Sequence, residues 1–521
     1  MNPHGSAALP NTWIWTTLAE IAETSSGGTP SRARTDFFDG NIPWLKSGEL
    51  NDHILRATEE FITQSGLESS SAKIFPAGTL CVALYGATVG KLAVLGVDAA
   101  TNQAVCGIMV SPLVRTQYLF YLLLSQRRKL IGKGKGGAQS NISQDIIRRV
   151  DIPLPPLAEQ HRIVAKIEEL FTQLHAGVEE LRKARAQLKR YRQAVLKAAV
   201  TGELTKEWRE AHRDELEPAS ELLARILKER RAKWEADQLA KMEAAGKTPK
   251  NDDWKKKYRE PLAPDSSRTS ELPRGWTWTS LDQLLMVLRN GISTKPNAET
   301  GIPILRISSL RPMSVNLKDR RFLPEGYGPV EDYRLEEGDL LFTRYNGNPS
   351  LVGVCGVVPN LTHEIVHPDK LIRGQVASQL SLPRFLQVVL NVGKSREFIS
   401  RRARTTAGQT GVSGSDLRAV PTPLAPLEEQ ELIVEEVERR LSIIESTEHD
   451  IERSLREAQR MRQSILKQAF EGKLVPQDPN DEPAELLLER IKIERANREA
   501  ERRTAAKPRR RRATRASKLE D

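Results

Sequence analysis

The chain repeats itself at long range. Residues 9–18, LPNTWIWTTL, and residues 272–281, LPRGWTWTSL, agree at six of ten positions, including both tryptophans. Tryptophan is scarce, 8 in 521 residues, so chance is a poor explanation for two W-x-W pairs in one frame. IPWLKSGEL (42–50) is matched by IPILRISSL (302–310), and FPAGTLCVALYG (75–86) by LEEGDLLFTRYNG (335–347). PLAEQHRIVAKIEE (156–169) is matched by PLEEQELIVEEVER (426–439), and YRQAVLKAAVTGEL (191–204) by MRQSILKQAFEGKL (461–474). EPASELLARI (217–226) echoes EPAELLLERI (482–491). The order is the same in both halves and the offset drifts between 260 and 270 residues, as loop insertions would make it. A repeat of this kind fixes the architecture before any local pattern does. It predicts a globular unit, a long helix and a charged segment, written twice.

The globular units span about 9–155 and 272–425. Each alternates short β-favouring runs with Gly/Pro/Asn/Asp turns: TLCVALYG, KLAVLGV and AVCGIMV in the first, DLLFTRYNG, LVGVCGVV and EIVHPDKLIRG in the second. That spacing predicts curled or barrel-like sheets. A helical stretch, QYLFYLLLSQRRKLI (117–131), flanks them, so each unit reads as α+β.

The helical segments carry a heptad. In 157–200 the apolar seam runs through Ile163, Ile167, Leu170, Leu174, Leu181, Leu188 and Val195, with Gly177, Ala184 and Tyr191 in the remaining positions. In the second copy it runs through Val437, Leu441, Ile444, Ile451, Leu455, Ala458 and Ile465. Apolar a and d positions sustained over four heptads predict a coiled coil. Pro155 and Pro156 open the first helix, and Gly202 and Gly472 close the two. About 43 residues at ~1.5 Å each make a rod of ~60 Å. Two helices of equal length with one seam each are expected to pair with each other. Identical halves related by a pseudo-two-fold would make that pairing antiparallel.

The charge is +11 with 28% charged residues, which favours a polyanionic partner, nucleic acid ahead of an anionic membrane surface. Three cysteines, Cys81, Cys106 and Cys355, make neither a C-x-x-C pair nor an even disulfide set. No apolar run approaches the ~18 residues of a membrane span, and MNPHGSAALP is not a signal peptide. These features read as a cytoplasmic chain.

W-x-W-x-x-L, GGTPSR, IPWLKSGEL, a G-x-L strand and IPLPPLAEQHRIVAKIEELF, followed by a second copy of the pattern, resemble the specificity (S) subunit of type I restriction–modification enzymes. The resemblance covers about residues 9–475. It implies target-recognition domains at 1–155 and 272–425, and helices at 156–204 and 426–475 that set their spacing and dock two methyltransferase (M) subunits. A charged helical connector and linker (205–271) and a charged basic tail (476–521) complete the chain. Each recognition domain would read half of an interrupted, asymmetric DNA site. The chain itself would be non-catalytic and hold no cofactor or metal. Its partners would use S-adenosylmethionine, ATP and magnesium to methylate adenine or, with restriction (R) subunits on unmodified DNA, to translocate and cleave. The second unit departs from the pattern: RNGISTKP (289–296) replaces GGTP, and IPIL replaces IPWL. Two different half-sites require such differences.

Base edges are read by Arg, Lys, Asn, Gln, Ser and Thr. In the first unit these residue types crowd turns at Thr29, Ser31, Arg32, Arg34, Lys46, Ser47, Tyr85, Thr88, Lys91, Asn102, Gln103, Gln139, Ser140 and Asn141. In the second they are Ser293, Lys295, Arg306, Ser308, Arg344, Tyr345, Asn346, Asn348, Arg373, Gln375, Gln409 and Thr410. Lys46 and Arg306, Tyr85 and Tyr345, and Gln139 and Gln409 occupy equivalent repeat positions. HEIVH (363–367) has the formal spacing of a zinc protease, but flanking Pro359 and Pro368 and its β-branched residues oppose a helix. GKGKGG (132–137) and GATVGK (86–91) miss the G-x-x-x-x-G-K-[ST] phosphate loop. No N-P-P-Y-like tetrapeptide of adenine methyltransferases is present, which counts against a stand-alone methyltransferase. A chromosome-organising coiled coil would need far longer helices and no β-rich units. The arginine-rich segment AAKPRRRRATRASK (505–518) is expected to be disordered.

Overall fold

The computed structural model describes residues 9–134, 141–249, 251–265, 270–377, 380–406 and 409–516, the side chains of 406 and 503–516 excepted. It divides into two compact units: Met1–Arg182 with Glu452–Asp521, and Lys183–Ile451. Each unit contains one globular repeat, the start of the long helix that follows it, and the end of the other long helix.

In the first unit a five-stranded sheet runs in the order Ala22–Ser26, Val105–Val110, Leu80–Ala83, Leu92–Leu95, His53–Leu55. All neighbours are antiparallel except the last pair. A second sheet orders Glu60–Ile62, Phe38–Leu45, Ala99–Thr101 and Ile74–Phe75. In the second unit the corresponding main sheet is Leu285–Asn290, Leu371–Val376, Leu340–Thr343, Cys355–Val357. Smaller ribbons replace the second sheet: Ile302–Leu305 with Arg320–Leu323, and Tyr345–Asn346, Gln409–Gly411 and Arg404–Thr406 side by side. The continuous apolar runs of the sequence become strands buried on both faces, Leu80–Ala83 and Leu340–Thr343 among them.

Four long helices follow in chain order: α1 (Leu157–Val200), α2 (Ala219–Ala244), α3 (Leu427–Phe470) and α4 (Ala484–Ala516). α1 and α3 have 44 residues each. Within the first unit Arg462 of α3 covers the ring of Phe171 on α1, and Ile465, Leu466 and Ala469 share a core with Ile163, Val164 and Ile167. Within the second, Arg192 of α1 pairs with Glu445 of α3 at 3.1 Å, and Ala199 shares a core with Ile433 and Val437. In both units residue numbers rise along one helix as they fall along the other, so the pairing is antiparallel. The predicted seam is the buried line. Ile163, Ile167, Val195, Val437, Ile444, Ile451 and Ile465 are buried, and Leu170, Leu174, Leu181, Leu188, Leu441 and Leu455 are half-buried. Two of the interleaved positions are corrected. Gly177 and Tyr191 face solvent, and Val178 and Arg192 are the half-buried residues beside them. The seam drifts because 3.6 residues per turn does not divide a heptad.

The opening phrase of each repeat receives the end of the other repeat's helix. Trp13 and Trp276 are 7% and 8% exposed. The Trp13 indole N–H donates to Glu159 of α1 (2.9 Å), and the Trp276 indole N–H donates to Glu429 of α3 (2.8 Å). Both glutamates are fully buried, and both come from the P-L-x-E-Q signature. The neighbouring glutamines bridge backbone in the same way in both copies: Gln160 to the Pro155 carbonyl and the Arg115 amide, Gln430 to the Ala425 carbonyl and the Leu382 amide. Gly202 and Gly472 end α1 and α3 at φ +70, a conformation that favours glycine. Added side chains would strike Pro273 and Pro10, the prolines of the two opening phrases. The amides of Ala219 and Ala484 then bond the carbonyls of Gly275 and Thr12 (2.8 and 3.1 Å).

Both charged segments pack into the units, and one expectation, that of a disordered tail, is corrected. The connector supplies Ala219, Leu222 and Ile226 to the second unit's core, and the tail supplies Ala484, Leu487, Leu488 and Ile491 to the first. The arginine-rich stretch continues α4 as helix through Ala516 instead of being disordered. The apolar i, i+3, i+4, i+7 positions at the start of each segment explain the packing. They are short against the charge around them.

Candidate nucleic-acid interface

A glycine at the end of the first strand of each main sheet sets the floor of the site. A Cβ on Gly27 would overlap the carbonyl of Thr101, and one on Gly291 would overlap that of His367. The second unit therefore solves with a single glycine, in RNGISTKP, the close approach that GGTP makes in the first. This approach brings distant loops together. In the first unit the Gly28 amide bonds the Thr101 carbonyl (2.8 Å), the Asn102 amide bonds the Leu45 carbonyl (2.9 Å), and Trp44 bonds the Gly28 carbonyl (3.1 Å). The Ile142 amide bonds the Leu84 carbonyl (2.7 Å). Loops 27–32, 45–47, 84–88, 101–103 and 141–142 so meet on one edge.

On that edge Thr29 donates to Gln103, and Gln103 also bonds the Tyr85 hydroxyl. Thr88 donates to the Ser47 carbonyl (2.8 Å). Arg32 lies over the rings of Phe38 (4.5 Å) and Trp44 (5.1 Å) and shares Glu60 with Lys46, at 2.9 and 2.8 Å. The two cations hold the Glu60 carboxyl below its ordinary range, the Lys46 hydrogen bond foremost. Ser31 and Asn141 are exposed. Arg34 stands apart, forked onto Asp36 (2.7 Å), and Lys91 reaches Asn51 (2.9 Å). Gln139 and Ser140 lie outside the described residues.

In the second unit the Ile292 amide bonds the His367 carbonyl, the Asp369 amide bonds the Ile292 carbonyl, and the Arg344 amide bonds the Lys370 carbonyl. Tyr345 and Asn346 pair with Gly411 and Thr410. Loops 290–295, 344–348 and 366–370 and the strands 404–406 and 409–411 so converge, with exposed Ser293, Lys295, Asn348 and Gln409 among them. The Arg344 guanidinium covers the Tyr345 ring at 4.8 Å. Asn346 and Asn348 shape their own turn through backbone amides. Arg306 pairs with Asp319 (3.1 Å) beside Ser308, and Gln375 bonds Glu336 (3.0 Å).

Two candidates are corrected as exposed readers. Arg373 is 7% exposed and spent on buried Asp339 at 2.6 Å, where burial raises the carboxyl against the pull of its hydrogen bonds. Thr410 is 7% exposed and bonds Thr405 (2.9 Å). Strand alternation turned both inward.

HEIVH lies in extended backbone, with Val366 bridging Ile304 and Arg334. His363 meets Arg320, whereas His367 is buried on the Tyr333 carbonyl (3.0 Å) with its pKa pushed down to about 4 by burial. The two rings do not share a face. GATVGK is the turn between Leu80–Ala83 and Leu92–Leu95, with Gly86 and Gly90 at positive φ. Among the described residues no cluster of His, Cys, Asp and Glu is grouped to hold a metal ion.

A clamp repeated in both units escaped the sequence reading. Arg127 donates to the Gly90 carbonyl (2.7 Å), and Arg396 donates to the Val352 carbonyl (2.6 Å). Each ties the helix after the main sheet to a turn holding a positive-φ glycine, Gly90 or Gly353. A basic residue on a helix gives no hint in sequence that its partner is a carbonyl.

Residues 10–181 match the family model of the type I restriction modification DNA specificity domain. The chain is 29% identical over 507 residues to the Escherichia coli K12 type I restriction enzyme EcoKI specificity subunit, covering 94% of this chain and 96% of that protein. It is 25% identical to the Salmonella potsdam StySPI specificity subunit, again over 94% and 96%. A solved HsdS subunit from Thermoanaerobacter tengcongensis shares the fold at TM-score 0.52 and 18% identity, over 90% of this chain and 99% of that one. A chain from a structure of type I R-M system assembly aligns at TM-score 0.59 over 90% and 100%, also at 18% identity. Along most of its length the chain is similar in sequence to type I restriction enzyme specificity subunits, and it shares the fold of the solved HsdS subunit.

Proposed function

We propose that this chain is the DNA sequence-recognition subunit of a type I restriction–modification complex, and that each unit reads one half of a bipartite, asymmetric site. The convergence of equivalent but chemically different loops on one edge of each unit carries the reading. Equal scaffolds position the protein, and unequal side chains select different bases. The chain is not an enzyme in this family; it directs partner subunits. We assign two methyltransferase subunits to the paired helices, with S-adenosylmethionine bound by those subunits for methylation of adenine. ATP and magnesium belong to the restriction subunits that translocate and cleave unmodified DNA. The cytoplasm is the assigned compartment, and no helix among the described residues is long and apolar enough to cross a membrane. Mapping N6-methyladenine in DNA from cells expressing the chain with its methyltransferase partner tests the reading. A two-part motif supports it, and methylation without sequence preference contradicts it.

A further inference from the structure

The recognition edge is rich in cations that its own carboxylates already neutralise. Arg32 and Lys46 share Glu60, and Arg306 holds Asp319. Among the cations without a carboxylate partner in the described residues, one group lies at an equivalent place in each unit. This is the end of the helix after the main sheet.

In the second unit that helix is Gly393–Arg402, and it leads straight into the strand Arg404–Thr406. Arg402 is exposed and rests on the Phe398 ring (5.2 Å). Arg404 is exposed and makes no ion pair or side-chain hydrogen bond among the described residues. Its place is fixed by register. Arg404 pairs with Gly411, and Gly411 pairs with Tyr345 on the other side. Residues directly opposite across antiparallel strands project to the same face. A side chain on Gly411 would overlap the Tyr345 ring. Arg404 therefore stands in one row with Tyr345, and Arg344 covers that ring.

In the first unit the helix is Thr116–Gly132. Lys129 and Lys133 are exposed at its end and have no carboxylate partner among the described residues. A Cβ on Gly134 would meet the Asn141 carbonyl at 2.8 Å, and one on Gly90 would meet Arg127 and Ile131 at 3.2 Å. The helix end so lies against the 86–90 turn and beside Asn141, on the recognition edge.

We propose that Arg402 and Arg404 in the second unit, and Lys129 and Lys133 in the first, are phosphate clamps that grip the DNA backbone beside each half-site. Unpaired cations at the rim position the duplex, while the neutralised cations inside the edge present shape and hydrogen bonds to bases. The inference rests on the DNA-recognition reading above and adds a division of labour to it. The pairs are not identical in sequence, which suits a sequence-independent contact. Phosphate is the same in both half-sites.

The test uses the chain assembled with its methyltransferase partner and two fluorescent duplexes, one of arbitrary sequence and one bearing the mapped site. Dissociation constants are measured between 50 and 200 mM salt for the wild type, R402Q/R404Q, K129Q/K133Q, R402K/R404K and the charge control K228Q/K241Q. Each phosphate contact contributes about 0.9 to the slope of log K against log salt. Both glutamine pairs are expected to reduce that slope by about 1 to 2 on both duplexes and to leave the ratio between duplexes unchanged. R402K/R404K and the control are expected to keep the wild-type slope. An unchanged slope in the glutamine pairs, or an unchanged slope with a lost ratio, overturns the clamp. A wild-type complex that binds both duplexes equally strikes at the recognition reading instead, while the slopes still decide the clamp.

Discussion

Glu429 is fully buried and holds three groups at once: the Trp276 indole (2.8 Å), the Thr205 hydroxyl (2.6 Å) and the Arg209 guanidinium (2.6 Å). Removing it leaves a largely buried arginine without its partner, which costs about 3–5 kcal/mol. Glu429→Ala is expected to lower the unfolding free energy of the chain by that amount, read as a fall in the urea midpoint. Trp276→Phe, which strands one carboxylate acceptor still held by Arg209, is expected to cost less. A second expectation concerns pH. Burial lowers the His367 pKa from its ordinary 6.5 to about 4, so the folded ring stays neutral where the unfolded chain binds a proton. The favourable difference is complete above pH 6.5 and is lost as pH falls towards 4, on the order of 3 kcal/mol in all. Histidine-labelled NMR should find this ring unprotonated at pH 5 in the folded protein. The sequence carried the residue types of the site but not their partners. Lys46 and Arg32 were legible as basic turn residues, but the Glu60 that joins them was not. Arg373 looked identical to an exposed reader because its partner Asp339 is 34 residues away.

The paired helices were the most legible elements, because a heptad states both the fold and the buried face. Ile444 and Ile451 are buried in that seam, and Tyr191, though on the heptad count, is 48% exposed. Ile444→Ala or Ile451→Ala is expected to cost about 2–5 kcal/mol, and Tyr191→Ala less than about 0.5 kcal/mol, both read by denaturant unfolding. Equal costs at the two kinds of position would contradict the register. The sheets were legible as runs of strands, and their order was not, since pairing joins residues far apart in sequence. The tail misled for a physical reason. Four apolar residues at helical spacing, Ala484, Leu487, Leu488 and Ile491, anchor α4, and 28% charge overall hides so short a signal.

For the whole molecule, duplication explains why each unit is built from both repeats: every opening phrase is completed by the helix end of the other copy. The proposal that the paired helices set half-site spacing carries its own test. Seven residues inserted into both α1 and α3 add ~10 Å. At ~3.4 Å per base pair, the unread spacer of the target is expected to lengthen by about three base pairs with both halves unchanged. The most direct measurement is the methylation map itself. N6-methyladenine is sequenced in DNA from cells expressing the methyltransferase partner with this chain, and with a version whose residues 27–150 come from a type I restriction enzyme specificity subunit of different sequence. The account predicts a two-part asymmetric motif, and in the exchanged version a change in one half alone. Methylation without a motif, or an exchange that leaves both halves as they were, would contradict it.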